Sequence, residues 1–532
     1  MSKLWNKLQI KLNNIDKFHI MLLMIMLFSA FFLLYLTTLK EGMHLDEYLT
    51  YGLANQNAEG VNKIKPEYGV RLNAADVFDS YFYTDSFSLK NIWLNQGNDV
   101  HPPLYYLCIH IITLLTNHFM ALKTGILVNI IFHLVNIYLI WLILKEAIHN
   151  KYTAILGSLL YAFLPKALGN VLFVRMYVML TVFILCLILL FVKRVSMLDK
   201  PSDKVFYIKL AIISVAGTLT HYYFLIYLFF CCMIWGIYIL IKRRWKELAV
   251  FLATMAASAG ISIAIFPYML QHIFVGYRGE ESFKNLLSAS VFIKNFQTYW
   301  KALDEVYGGF LLAIIVAAVL NVLFAGYLLM EKRTKRNGGN TLKWIMLLIP
   351  PSLYVLTIAR ISSITSSRYI APAYAVCIIL LMILADNIVS YMSDKKLKCI
   401  VLMLMVCILF NSCYKIYTWP ELHLEAGDYV NKARKYGVNN DCIYVMSLSW
   451  HSYMSYQEFI QYQSMTFIRD NNLEMLYTED YSNYDHVVMY FDKNVGQENI
   501  DKILTKIIEM NAGLNEYEYL HEYGYNVAYY LE

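Results

Sequence analysis

The chain has 532 residues, 58% of them hydrophobic and only 16% charged, with a formal net charge of +6 and a mean hydropathy of +0.46. Soluble domains carry about a quarter charged residues, so an ordinary soluble enzyme is excluded, as is a disordered chain, which needs low hydrophobicity. The charge is split: residues 419–532 hold 18 acidic and 7 basic side chains, a net of −11, while the remainder nets +17, which places the two regions in different solvents.

The basic excess of the larger region has the form of cytoplasmic loops between membrane helices and requires no nucleic acid. A spanning helix needs ~20 apolar residues. Such segments lie near 18–39, 121–144, 152–168, 171–192, 205–220, 222–241, 247–268, 307–330, 342–360, 369–391 and 397–418. The first is too long for a signal-peptide core and lacks a small-residue cleavage site, so it reads as an uncleaved anchor. Nine cysteines are scattered without CxxC spacing, which offers neither a zinc site nor a disulfide framework.

Past the first span comes HLDEYLTY (44–51), and about fifty residues later DVHPPLYY (99–106). The following apolar stretch, 102–117, is short. If it lies along the membrane surface, the basic clusters around Lys145/Lys151, Lys193/Arg194, Lys242/Arg243/Arg244, Lys332/Arg333 and Lys395/Lys396 share one side with the N-terminal lysines. The positive-inside rule makes that side cytoplasmic. The expected architecture is therefore an α-helical polytopic membrane protein in the cell membrane. It has about eleven spans, an inside N-terminus and juxtamembrane helices in the first outer loop. The same parity brings Asp46, Glu47, Asp99, His101, Arg175, His221, His272, Arg278 and Arg368 to the outer face.

Two domains are expected: a membrane module over 1–418 and a small extracytoplasmic α/β domain over 419–532. In the latter, 441–448 and 485–491 read as buried strands, 498–510 as a helix with Ile500, Ile503, Leu504 and Ile507 on one face, and the last eight residues as an edge strand. It shows no Gly-rich phosphate loop, and a supporting or acceptor-binding role fits it.

Each polar candidate has an ordinary and a chemical reading. Asp46-Glu47 caps a short helix starting at Tyr48, or supplies a general base whose pKa is raised at a water-poor boundary. Pro102-Pro103 suits a first helical turn, but does not account for the adjacent Asp99 and His101. Arg175 and Arg368, each beside a tyrosine, snorkel to the interface or clamp a phosphate bidentately. His221 is a helix-end histidine. His272, with a first-loop carboxylate such as Asp99, has the donor types for a divalent cation, the one cofactor the sequence suggests.

At these residues the chain resembles the membrane glycosyltransferases of the GT-C fold, in particular the branch of protein O-mannosyltransferases and lipid A aminoarabinose transferases. The resemblance covers roughly 18–390. It rests on the acidic pair after the first span, DVHPPLYY in the same loop, VRMY (174–177), THYY (220–223) and SSRYIAP (366–372). It implies Asp46 as catalytic base beside Glu47, and His101 as a donor-phosphate contact with Arg175 and Arg368. A histidine after span seven binds metal in that branch, and His272 is similarly placed. Where the aminoarabinose transferases have Glu-Lys, this chain has Val100-His101.

The implied activity is inverting transfer of a sugar from a polyprenyl-phosphate donor to the hydroxyl of a glycan, lipid or protein acceptor. Two alternatives remain. A transporter or flippase for lipid-linked glycans would show internal repeats or midplane charges, and no repeat is present. A polymerase or ligase would carry its large outer loop late, whereas here it comes first.

Overall fold

The protein is described by a computed structural model covering residues 16–56, 68–82, 87–116, 121–148, 150–316, 319–320, 323, 337–391, 419–478 and 486–532. Among these residues seven helices are long and apolar enough to cross a membrane: Lys17–Leu39, Lys123–Ala147, Tyr177–Val195, Tyr223–Ile241, Trp245–Ile265, Thr341–Ile361 and Ser367–Asn387. Each coincides with a segment expected from hydropathy. The expected span at 205–220 is a helix of 17 residues, Lys204–Thr220. That at 307–330 lies partly, and that at 397–418 wholly, outside the described residues. The short segment after the His-Pro-Pro triplet is a 12-residue helix, Leu104–Leu115.

The expected span at 152–168 is a bent pair, Lys151–Ala162 and Pro165–Leu172, meeting at 47°. Pro165 opens the second helix, where its missing N–H is harmless but where it cannot continue the first. The break frees the Ala162 carbonyl, which the apolar setting requires to be satisfied. Ser29 Oγ donates to it at 3.1 Å and His133 Nε2 lies 3.3 Å away.

The described chain divides into two compact units. One comprises the residues up to Tyr35, Val100–Tyr105 and those of Ile126–Ile416. The other comprises Leu36–Asp99, Tyr106–Gly125 and the residues from Tyr417 on. The second is thus assembled from the first loop and the C-terminal region together.

At its centre is a six-stranded sheet of order β1-β3-β2-β4-β6-β5, built from β1 (Arg71–Leu72), β2 (Asp441–Met446), β3 (Ser464–Arg469), β4 (Val487–Asp492), β5 (Tyr517–Tyr523) and β6 (Asn526–Leu531). Strands β3, β2 and β4 are parallel, and β6 runs antiparallel to both β4 and β5. The terminal strand β6, expected at an edge, is interior because β5 covers it. The helix Gln497–Met510 lays Ile500, Ile503, Leu504 and Ile507 on Val445, Met489, Phe491 and Val527, as its 3.6-residue spacing requires. The edge strand β1 comes from the first loop: Arg71 pairs with Thr466 and Leu72 with Met465. Arg71 Nε also donates to Ser464 Oγ at 2.8 Å and its guanidinium pairs with Asp441.

The helix Leu424–Gly437 is entered through His423, which sits in the left-handed region at φ 48°. Burial, then the neighbouring Lys40 and His44, lowers the His423 pKa below the usual imidazole range, against the opposing pull of Glu47 and Glu425. The native state therefore resists the proton that the unfolded chain accepts below about pH 6.5. Its contribution to stability is intact above that pH and declines as pH falls. A His423→Asn variant, which tolerates the left-handed conformation, is expected to show a flatter decline in unfolding midpoint between pH 7 and pH 5. Equal pH slopes would remove His423 as the source.

Candidate active site

The helix carrying the acidic pair is Leu45–Asn55. The sequence suggests an acid as cap with helix from Tyr48, but the cap is His44. Its Nδ1 accepts from the Asp46 N–H at 3.1 Å, and Glu47 closes a capping box by accepting from the His44 N–H at 2.9 Å. Such a box satisfies two helix-end donors at once. Glu47 is fully buried, and both its oxygens accept from Lys40 Nζ at 2.9 Å. Asp46 differs: its side chain is 26% exposed, so the same helical turn turns one carboxylate inward and leaves the other accessible. Asp99 is half-buried at the end of the same loop, its N–H bound to Gln96 O at 3.1 Å.

In the helical unit a second group forms. Arg175 lies in the break between Pro165–Leu172 and Tyr177–Val195, nearly buried, and its Nη2 donates to His101 Nε2 at 3.2 Å. A guanidinium is always protonated, so this fixes Nε2 of His101 as an acceptor. Arg368, in the short turn Ser367–Ile370, stacks its guanidinium 4.5 Å above the Phe173 ring. Two of the expected phosphate contacts thus lie beside the segment 173–175 and the third is on it.

Three scaffolding residues set that segment. Asn129 Nδ2 donates to the carbonyls of Val171 at 3.1 Å and Phe173 at 2.8 Å, while its Oδ1 accepts from Tyr105 OH at 3.0 Å. The His-Pro-Pro segment and the Arg175 segment are therefore tied through one buried amide. The turn holding Arg368 is fixed by Tyr354 OH on Tyr369 O at 2.9 Å and by Tyr374 OH on Ser367 O at 2.7 Å.

His221 joins the group, its ring 5.9 Å from that of His101 and 5.7 Å from Tyr177. Its Nδ1 accepts from the Tyr223 N–H at 3.0 Å, so the neutral ring carries its proton on Nε2. Burial holds its pKa well below the usual range, and His101 and Arg175 push the same way. Tyr369 closes the set at 5.8 Å from Tyr177 and 5.6 Å from Tyr223. These tyrosines were missed as a group, although each stands within two residues of a polar residue singled out in VRMY, THYY or SSRY.

His272 is buried in the helix Tyr268–Phe274. Its Nδ1 pairs with Tyr222 OH at 2.9 Å and its ring meets Phe266 edge-on at 5.6 Å. Among the described residues no group of three or more His, Cys, Asp or Glu is placed to hold a metal ion. The expected set of His272 and Asp99 therefore does not amount to a metal site.

The other ends of the same helices carry the basic clusters. Glu247, near the start of Trp245–Ile265, faces Arg194 and Arg244 at 3.5 Å each, and accepts from the Ser202 N–H at 3.0 Å. Tyr177–Val195 thus has Arg175 just before one end and Arg194 at the other.

No protein-family model matches the sequence, and no curated protein matches it. Solved structures do. ArnT from Cupriavidus metallidurans, bound to undecaprenyl phosphate, superposes with a TM-score of 0.53 at 11% identity, over 96% of this chain and 97% of that one. The chain has the GT-C fold. The oligosaccharyltransferase AglB from Archaeoglobus fulgidus, in complex with an inhibitory peptide and a dolichol-phosphate, gives a TM-score of 0.43 at 11% identity, over 95% of this chain and 74% of that one. The GT-C fold is that of polytopic membrane proteins, in keeping with the seven apolar helices.

Proposed function

We propose that the protein is an inverting membrane glycosyltransferase that moves a sugar from a polyprenyl-phosphate donor to an acceptor hydroxyl at the outer membrane face. The observation that carries this reading is the gathering of His101, Arg175, His221 and Arg368 around the 173–175 segment, in a fold shared with a protein that binds undecaprenyl phosphate. Two guanidiniums and a neutral N–H donor match the oxygens of a phosphate ester. In this reading the N-terminus is cytoplasmic and the C-terminal region extracytoplasmic.

The step is a single displacement. The Asp46 carboxylate accepts the proton of the acceptor hydroxyl as that oxygen attacks the anomeric carbon. The bond from that carbon to the donor phosphate oxygen breaks on the opposite face, its electron pair leaving with polyprenyl phosphate. The new glycosidic bond has inverted configuration, and the proton passes from Asp46 to water. Arg175, Arg368 and His221 Nε2–H stabilise the charge that develops on the leaving phosphate. Glu47, expected to share catalysis with Asp46, serves instead to hold the helix start through His44 and Lys40.

The test supplies purified protein with defined polyprenyl-phosphate sugars and follows release of polyprenyl phosphate. Donor-dependent release with an acceptor present supports the reading, and absence of release with every donor overturns it. An Arg175→Lys variant keeps the charge but loses the planar fork. Losing one charge-assisted hydrogen bond, about 1.5–3 kcal/mol, is expected to raise the donor KM roughly tenfold or more. Unchanged steady-state constants would detach Arg175 from the donor.

A further inference from the structure

The acidic helix is gripped by the C-terminal region of its own unit at several points. Just before the helix, the Glu41 N–H donates to Leu422 O at 2.9 Å. At Gly42 there is no space for a side chain: an added Cβ would lie 2.5 Å from Ala426 Cβ and 3.1 Å from His423 Cβ. Gly42 does not adopt a positive φ, so it is the neighbour, and not the backbone conformation, that demands glycine here. Along the helix, Tyr48 lies 6.2 Å from the rings of both Tyr453 and Tyr456. A Cβ at Gly52 would meet Tyr453 OH at 3.0 Å.

The gripping segment is itself rigid. Asp492 is buried and accepts from the Leu448 N–H and from His451 Nδ1, each at 2.9 Å. Asn526 Nδ2 donates to His451 O at 3.1 Å and Ser455 Oγ at 3.0 Å. The turn bearing Tyr453 is therefore tied to two strands of the sheet.

We propose that the C-terminal α/β region is a positioning element of the active centre, with the close fit of Gly42 on the helix Leu424–Gly437 and of Gly52 on Tyr453 setting the orientation of the helix that presents Asp46. The inference rests on the reading of Asp46 as base. Acid–base catalysis tolerates little displacement, and a misplacement of about 1 Å costs roughly a hundredfold in rate. Carbon atoms in contact need ~3.5 Å or more, so a methyl at position 42 displaces the chain by about that 1 Å.

A Gly42→Ala variant is expected to lose roughly a hundredfold in kcat with its donor KM unchanged, since His101, Arg175 and Arg368 belong to the other unit. Ala426→Gly alone leaves kcat near wild type. The swap Gly42→Ala/Ala426→Gly restores it, which a general loss of folded protein would not reproduce. If Gly42→Ala does not fold, Gly52→Ala is read in its place, with Tyr453→Phe as the relieving partner. A Gly42→Ala enzyme with wild-type kcat, or a swap that fails to recover, overturns the proposal. Full transfer by Asp46→Asn sinks the base assignment separately. If the 42/426 swap still governs kcat in that case, the C-terminal region positions another group on the same helix.

Discussion

An Asp46→Asn enzyme is expected to lose sugar transfer by about 10²–10⁴-fold, the range a positioned general base supplies, and to melt like the wild type. The second half of that expectation follows from the cap. Two backbone groups of Asp46 hold the helix start, its N–H, given to His44 Nδ1 at 3.1 Å, and its carbonyl, which accepts from Thr50 Oγ1 at 2.7 Å, while its carboxylate lies 3.6 Å from His44 Nδ1. Neither backbone group changes when the carboxylate becomes an amide. What disappears is the capacity to take a proton from the acceptor. The measurement is release of polyprenyl phosphate by purified protein, beside its unfolding midpoint. Full transfer would remove Asp46 from the mechanism, and a large loss of stability would mean that the residue is structural.

The neighbouring carboxylate behaves in the opposite way. Glu47→Gln keeps an acceptor for the His44 N–H, so the capping box survives, but it leaves the Lys40 ammonium in a fully buried position without its counter-charge. Breaking one side of a buried ion pair costs about 3–5 kcal/mol. The double variant Lys40→Met/Glu47→Gln removes both charges and is expected to recover most of that loss. Chemical denaturation of the three proteins in detergent measures the difference. If Glu47→Gln unfolds with the wild type, the pair does not hold this turn. The contrast separates two adjacent acids by environment alone: one is partly accessible, the other buried on Lys40.

Much of the helical region was legible because apolar length is a strong signal and because His101, Arg175, His221 and Arg368 stand beside helix ends, where polar residues are conspicuous against apolar sequence. Charge parity predicted a common side for them, and the structure places them in one compact unit. Other features depend on distant partners that no local pattern encodes. Lys40 carried a faint signal, a lysine directly after an apolar span. Asn129 looked like any polar residue in an apolar helix, yet it ties Tyr105 to the 171–173 backbone. Strand β5 alternates tyrosine and glutamate and is mostly exposed, so hydropathy concealed it and made β6 look terminal.

The two-residue strand β1 has a consequence for the order of events during synthesis. Its partners, Met465 and Thr466, lie nearly four hundred residues downstream, and every apolar helix after Lys17–Leu39 is made between the two. Domains fold as their residues emerge, so the first loop must wait, incompletely packed, until the last strands are delivered. A chain that stops before residue 464 retains its apolar helices and its cluster of arginine and histidine, yet leaves the acidic helix without the sheet and the tyrosines that hold it. The earliest-made part of this unit is thus the part that waits longest for its partners.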